Sequence, residues 1–180
     1  MRVTAVAAVA LLAGCSHPGT SLGKTRDAPP VLLVTTQLLG ANGELRGTAT
    51  LLQTLAGTKF RARIEGLPPG TYAIHLHSVG KCEGPKFTSA GPHFNPAMKQ
   101  HGKDNPMGPH LGDLPNVVVG PGGTGTVDVT VAGLTLVGGA APLLDSDGAA
   151  VVLHAGPDDY KTDPSGASGD RIACGAFAPR

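Results

Sequence analysis

The sequence predicts an all-β domain built as an antiparallel sandwich or flattened barrel. Three observations support this prediction. About eight short runs of β-branched or alternating residues follow one another, turn residues separate them, and no segment has the apolar period of a long helix. Runs at this spacing are typical of sandwiches and barrels.

The amino terminus is predicted to be an export signal, residues 1–14. Arg2 precedes an apolar run, residues 3–13, that is too short to span a bilayer and ends in small residues. Leu12-Ala13-Gly14-Cys15 resembles the lipoprotein processing box of bacteria, in which the cysteine becomes the lipidated first residue. The alternative is an ordinary signal peptide with an incidental cysteine. Both interpretations place the mature protein outside the cytoplasm.

Residues 15–30 are predicted to be a lipidated flexible tether. They are rich in Pro, Gly and small polar residues and show no apolar periodicity. His17 lies in this tether, where we interpret it as a solvated side chain rather than a metal ligand.

Residues 31–180 have the length of one domain with its own core. The formal net charge is +1 and there is no basic block, which gives no reason to propose nucleic-acid binding. Aromatic residues make up 3% of the chain and Trp is absent. The core is therefore predicted to be aliphatic, and stacking of bases or sugars is not expected.

Turn signals divide this domain into strands. Asn42-Gly43, Ala56-Gly57 and Pro68-Pro69-Gly70 separate the first four runs, and Asn42-Gly43 with its close spacing indicates a hairpin. The predicted strands are residues 31–38, 45–52, 58–64, 71–78, 116–119, 125–131, 149–154 and 172–177.

Two long segments, residues 79–115 and 155–170, are predicted to be loops. Loops of this length are uncommon inside a compact domain and usually carry function. They contain most of the candidate metal ligands that are not on strands. We expect them to fold over one face of the barrel and cover a site there.

The histidines point to the chemistry of that site. If Ile74 and Leu76 face the core from a strand, alternation places His75 and His77 together on the opposite face. The other candidate ligands are His93, His101, His110 and Asp113 on the first long loop and His154 at the end of a late strand.

Seven candidate ligands predict two metal sites that share one ligand. Three imidazoles and a carboxylate on one loop fit a closed tetrahedral zinc site, and an all-imidazole set fits copper. Two four-coordinate sites require one imidazole to bridge through both ring nitrogens. His93 is the natural bridge because it lies on the loop between the two groups.

Several motifs in residues 31–180 are similar to those of one family. They are His75-Leu76-His77 with Gly80 and Cys82, Gly91-Pro92-His93-Phe94-Asn95-Pro96, His110-Leu111-Gly112-Asp113-Leu114, Val152-Leu153-His154 with Pro157-Asp158-Asp159, and Gly169-Asp170-Arg171-Ile172-Ala173-Cys174-Gly175. The chain resembles the bacterial copper/zinc superoxide dismutases of the secreted lipoprotein type. The fold implied by this resemblance is an eight-stranded Greek-key flattened barrel, an immunoglobulin-like sandwich with two long functional loops.

The resemblance implies one copper ion and one zinc ion per subunit. The implied ligands are His75, His77, His93 and His154 for copper, and His93, His101, His110 and Asp113 for zinc. Asp158 matches the carboxylate that hydrogen-bonds one histidine of each set, although without the motif it would equally be a solvated turn aspartate. Arg171 matches the arginine that guides the anion, where the sequence alone favours an ordinary surface arginine.

The three cysteines agree with this interpretation. Cys15 is assigned to lipid, which leaves Cys82 and Cys174 without metal-type spacing in a protein expected to be exported. Such a pair is predicted to form a disulfide. The bridge would hold the start of the first long loop to the last strand, beside Arg171.

The predicted function is dismutation of superoxide to dioxygen and hydrogen peroxide, protecting the cell envelope, with Arg171 and His93 as catalytic residues. Two alternatives are a non-catalytic copper/zinc-binding protein on the same fold and a structural adhesion module with incidental histidines. We expect a monomer or homodimer that meets the membrane only through its lipid anchor, facing the periplasm or the cell exterior. Residues 158–170 contain a single lysine, Lys161, so we also expect weak electrostatic steering of the anion.

Overall fold

The computed structural model describes residues 32–180, and it confirms the all-β prediction. The predicted signal peptide of residues 1–14 and the lipidated tether of residues 15–30 lie outside the described residues. In residues 32–180 no helix is long and apolar enough to cross a membrane.

The regular structure of the described chain is nine strands and one short 3₁₀ helix. The strands are β1 (Leu33–Gly40), β2 (Leu45–Thr54), β3 (Gly57–Glu65), β4 (Gly70–Tyr72), β5 (Ile74–His77), β6 (Val117–Val119), β7 (Thr124–Val131), β8 (Ala149–His154) and β9 (Arg171–Phe177), and the 3₁₀ helix is Thr88–Ala90. All eight predicted runs are strands.

The run predicted at residues 71–78 is split at Ala73 into β4 and β5. The split occurs because Ala73 bonds to another part of the molecule. Its N–H donates to Gly156 O at 2.8 Å, and its carbonyl accepts the N–H of His154 at 2.9 Å.

Seven strands form one curled sheet in the order β5-β8-β9-β1-β2-β3-β7, and β4 and β6 form a two-stranded sheet. The pairs β1–β9 and β3–β7 join strands distant in sequence, as Greek-key connections do. Because β4 continues into β5 and β6 turns into β7, the small sheet links the two edge strands of the large one. Together they form the predicted flattened barrel.

The core is mainly aliphatic, and the strands show the alternation that a half-buried sheet requires. In β3, Phe60, Ala62 and Ile64 are buried, whereas Arg61 and Arg63 between them are exposed.

A third irregular segment, residues 132–148, was not predicted to be a long loop. Its four leucines, Leu134, Leu136, Leu143 and Leu144, are all buried in the core. Side chains from the sheet hold its backbone, since Thr58 Oγ1 donates to Leu134 O at 2.8 Å. This loop completes the core, in contrast to the first predicted long loop, which contains His93, His101 and His110.

Candidate metal centre

Strand β5 divides its side chains between the core and the site. Ile74 and Leu76 belong to the hydrophobic core, and His75 and His77 point to the opposite face, as alternation predicts. Both histidines are nevertheless fully buried. The two long loops therefore cover that face, as expected from the sequence.

Backbone hydrogen bonds fix two motifs of the first long loop beside β5. The N–H of Leu76 donates to Gly112 O at 2.9 Å, that of Gly112 donates to Phe94 O at 2.8 Å, and that of Phe94 donates to Leu76 O at 2.8 Å. A Cβ on Gly112 would lie 2.4 Å from Leu76 O, so only glycine permits this close approach. The closed ring of bonds holds His93 and Asp113, the neighbours of two of its members, against the strand.

Four histidines, His75, His77, His93 and His154, form what we call the first ligand group. Each offers one ring nitrogen, and these nitrogens lie within 4.8 Å of one another. In each ring one buried nitrogen lacks a hydrogen-bond partner within residues 32–180: Nδ1 of His75 and Nε2 of the other three. Leaving a buried polar atom unpaired is costly, so this arrangement fits a metal ion. Four imidazole donors suit copper.

The opposite nitrogen of two of these rings is held by a backbone carbonyl. His77 Nδ1–H donates to Gly91 O at 2.8 Å, and His154 Nδ1–H donates to Gly169 O at 3.3 Å. Each bond fixes the tautomer, so that Nε2 keeps its lone pair free for a metal.

The second ligand group comprises His93, His101, His110 and Asp113 and centres on the Asp113 carboxylate. Asp113 Oδ1 lies 2.9 Å from His93 Nδ1, 3.0 Å from His101 Nδ1 and 3.2 Å from His110 Nδ1. Its Oδ2 accepts the backbone N–H of Gly102 at 2.9 Å and of His110 at 3.0 Å. Three imidazole nitrogens and one oriented carboxylate are a ligand set suited to tetrahedral zinc.

His93 belongs to both groups. Its Nδ1 faces Asp113 in the second group, and its Nε2 is the partnerless atom that it contributes to the first. One ring thus offers a nitrogen to each group, which is the arrangement that the predicted bridge requires.

Asp158 links the two groups through their outer nitrogens. Its Oδ2 accepts from His75 Nε2 at 3.1 Å, and its Oδ1 accepts from His101 Nε2 at 2.9 Å. The Asn116 side chain makes two hydrogen bonds to the Asp158 backbone, accepting its N–H at 2.8 Å and donating to its carbonyl at 2.9 Å.

Gly166 packs directly against the Asp158 carboxylate. Its φ is +68°, and a Cβ at this position would collide with Asp158 Oδ1. The position therefore requires glycine for both space and backbone conformation.

Arg171, the first residue of β9, lines a cavity of about 900 Å³ together with His93 and His154. Its guanidinium donates to the carbonyls of Phe87 and Gly91, both at 2.8 Å. Burial lowers the pKa of Arg171, but a guanidinium remains charged at neutral pH. A half-buried cation is thus fixed at the cavity, with donors of its fork left for an anion.

The predicted disulfide between Cys82 and Cys174 is present, with Cα atoms 5.6 Å apart. It joins the start of the first long loop to β9, three residues beyond Arg171. A bridge that closes a loop of 92 residues stabilises the fold by at most about 4 to 5 kcal/mol in the loop-entropy model. It also holds the loop whose carbonyls orient the guanidinium.

Without a metal the two groups differ in protonation. Burial lowers the pKa of His93 to about 4 and that of His154 to about 3. Burial also disfavours protonation of His101, but hydrogen bonds to Asp113 and Asp158 outweigh it and raise the pKa of His101 to about 9. The same bonds hold the pKa of both carboxyls well below the usual range, although burial alone would raise it. At pH 7 these first-group rings are neutral, and His101 carries a proton.

The structure brings together every predicted ligand in residues 32–180, whereas Cys15 and His17 lie outside the described residues. The sequence alone did not identify Asn116, nor Lys99 and Asp163, which line the cavity. Asn116 and Asp163 act through contacts with distant segments, at Asp158 and His101. The only sequence signal was the position of Asn116 just after the motif that ends at Leu114.

Comparisons with known proteins agree with this geometry. The sequence profile of the copper/zinc superoxide dismutases matches residues 45–177. A superoxide dismutase [Cu-Zn] of Aquifex aeolicus is 45% identical over 143 residues, which cover 78% of this chain and 84% of the relative. A superoxide dismutase [Cu-Zn] of Caulobacter vibrioides is 39% identical over 139 residues, which cover 76% and 80%.

Solved structures are similar over the same region. A double mutant of a superoxide dismutase-like protein from Bacillus subtilis has a TM-score of 0.77 at 40% identity, covering 80% of this chain and 96% of that chain. The Cu/Zn superoxide dismutase of Brucella abortus has a TM-score of 0.64 at 25% identity, covering 81% and 99%. The matched region contains both ligand groups, Asp158 and Arg171. This chain belongs to the copper/zinc superoxide dismutase family.

Proposed function

We propose that the chain is a superoxide dismutase that uses the first ligand group for copper and the second for zinc. It converts two superoxide anions and two protons into dioxygen and hydrogen peroxide. The observation that carries the assignment of the ligands is the His93 ring, with a partnerless Nε2 in one group and Nδ1 in the other.

Copper, when bound, supplies the one-electron exchange that the side chains cannot perform, and zinc adds positive charge. Arg171 binds and orients the anion, because its guanidinium is fixed by two carbonyls and half-buried beside the ligands. His93 Nε2 would hold a proton only when it is not bound to copper, and it would deliver that proton to the product while Nδ1 remains directed at the second ligand group. Burial lowers the pKa of His93, so the ring does not retain a second proton at neutral pH.

The loops exclude water and large molecules from the ligands. His75 and His77 have no exposed surface, and His93 and His154 are 6% and 3% exposed. The cavity reaches these last two rings on the side where Arg171 lies. A small anion can therefore contact Arg171 and the edge of the first group together.

The test is metal analysis combined with an activity assay before and after chelation. Purified protein loaded with both metals is expected to hold one copper and one zinc per chain and to dismutate superoxide. Chelation should abolish the activity, and copper added back should restore it. Full metal content without dismutation would instead favour the non-catalytic copper/zinc-binding alternative.

We further propose that the protein is exported, is lipid-anchored at Cys15 and protects the cell envelope from superoxide. The Cys82–Cys174 disulfide supports an oxidising compartment. Mass spectrometry of protein from the membrane fraction should find a lipid on Cys15. A Cys15→Ala variant should leave that fraction, and unchanged membrane association would overturn the anchor.

A monomer or a homodimer is proposed for the assembly. Sedimentation at micromolar concentration distinguishes them, and a larger species would contradict both.

A further inference from the structure

Asp163 connects the two long loops at a point where they approach the second ligand group. Its Oδ1 accepts the backbone N–H of His101 at 2.6 Å. The same oxygen is 3.9 Å from His110 Nε2, too far for a hydrogen bond, and His110 Nε2–H instead donates to Lys99 O at 3.1 Å. The direct action of Asp163 is therefore on the main chain of His101.

The second long loop holds His101 from two directions. Asp158 holds the outer nitrogen of its ring at 2.9 Å, and Asp163 holds its backbone. The adjacent backbone N–H, that of Gly102, is held at 2.9 Å by Asp113, itself a member of the second ligand group. Three carboxylates thus fix this stretch of main chain and the ring that it carries.

We propose that Asp163 is a positioning residue for the second ligand group, which sets the backbone of His101 so that Nδ1 points at the metal. This inference rests on the proposed zinc site. Asp163 provides an acceptor rather than a ligand atom, since its Oδ1 accepts the His101 N–H and Asp163 belongs to neither ligand group. Partners of this kind preorganise the ligands that they support.

A second carboxylate on the same loop provides a matched control. Asp159 accepts the N–H groups of Lys161 at 2.9 Å and Thr162 at 2.8 Å, together with the Thr162 hydroxyl. All these bonds lie within the loop itself. Removing Asp159 therefore perturbs the loop without cutting the tie to His101.

The experiment measures Co²⁺ and Zn²⁺ affinity of copper-free protein by chelator competition, with the Co²⁺ ligand-field spectrum as a second readout. Asp163→Ala should lower the affinity about 10- to 100-fold, the range for loss of a ligand-supporting contact, and shift the spectrum. Asp163→Asn keeps an acceptor oxygen and should stay within about threefold of the wild type, as should Asp159→Ala.

Each contrary outcome has a separate meaning. Unchanged affinity in Asp163→Ala, or an equal loss in Asp159→Ala, would overturn the positioning role while leaving the zinc site intact. An equal loss of metal affinity in Asp163→Asn would show that the charge of Asp163, and not its hydrogen bond to His101, supports the site. That result would also overturn the positioning role. Wild-type protein without Co²⁺ or Zn²⁺ affinity would overturn the zinc assignment and this inference together.

A measurement on unmutated protein covers the case in which Asp163→Ala fails to fold. The His101 amide proton should exchange slowly with solvent in metal-free protein, because it is bonded to Asp163. Fast exchange of that amide proton would show that the hydrogen bond from His101 to Asp163 is absent, and it would overturn the proposal directly.

Discussion

The two ligand groups share one ring but are held together in different ways. In the first group, four buried imidazole nitrogens face one another without a protein partner in the described chain. In the second group, three imidazoles already contact the Asp113 carboxylate. The first group leaves these four nitrogens available to a cation, whereas nitrogens of the second group already have a protein partner. The loops thus preorganise a neutral group, which we propose for copper, and a charged group, which we propose for zinc.

The sharpest way to break this comparison is to remove one ligand from each group. His154→Ala should lower dismutation by more than about 100-fold, beyond the range for a supporting contact, since it removes a proposed copper ligand. His110→Ala should release zinc and leave copper bound, with a smaller loss of activity. Elemental analysis and activity assays of both variants test this pair. Equal copper loss in the two variants would show that the groups are not separable.

Asp158→Ala tests the link between the groups. The variant frees His101 Nε2 and His75 Nε2 together, and we expect zinc affinity to fall about 10- to 100-fold. The loss should be larger for zinc than for copper, because His101 depends on Asp158 and Asp113 whereas the copper group keeps its carbonyl contacts at Gly91 and Gly169. Chelator competition with each metal measures it. A larger loss for copper would contradict the assignment of the two groups.

Arg171→Ala tests the anion side of the first group. We expect activity to fall about tenfold while copper remains bound, because a fixed cation beside a small anion contributes mainly to capture. Arg61→Ala is the matched control, since Arg61 is exposed on β3 and pairs with Asp128 at the surface. Steady-state rates with copper content check both variants. Equal activity in the Arg171 variant would remove that residue from the mechanism.

The parts of the molecule that follow local rules could be predicted from the sequence. Alternation in β3 and the turn residues determine the strands, and the spacing of His75 and His77 alone places both on one face. The break at Ala73 could not be predicted, because it depends on Gly156, which is distant in sequence. Nothing local distinguishes Asp163 from Asp159 either; one reaches His101 and the other stays within its loop only because of how the loops pack.

Proton release on metal binding tests the difference in protonation between the two ligand groups. The pKa of His101 is about 9, so its ring is protonated at pH 7.5, and zinc must displace that proton from Nδ1. The pKa values of His93 and His154, about 4 and 3, leave those rings neutral. Zinc binding to metal-free protein should therefore release about one proton, and copper binding to zinc-free protein close to none. Calorimetry in buffers of different ionisation enthalpy measures both counts.

The pH dependence of the number of protons released provides a control for this measurement. As the pH rises through 9, His101 loses its proton before zinc arrives, and the count for zinc should fall towards zero. A count for copper as large as that for zinc at pH 7.5 would contradict the neutral state of the first group.

The smallest effect that we expect is that of salt on the rate. Lys99, Arg171 and Asp163 all line the cavity, so charges of both signs surround the anion, and Lys161 is not among the lining residues. Raising the ionic strength from about 10 to 200 mM should lower kcat/KM by less than about threefold, whereas a strongly steered enzyme loses far more. Stopped-flow decay of superoxide across this range measures it. A steep fall would show that the first long loop guides the anion, in which case Lys99→Gln should flatten the salt dependence while Lys161→Gln leaves it unchanged.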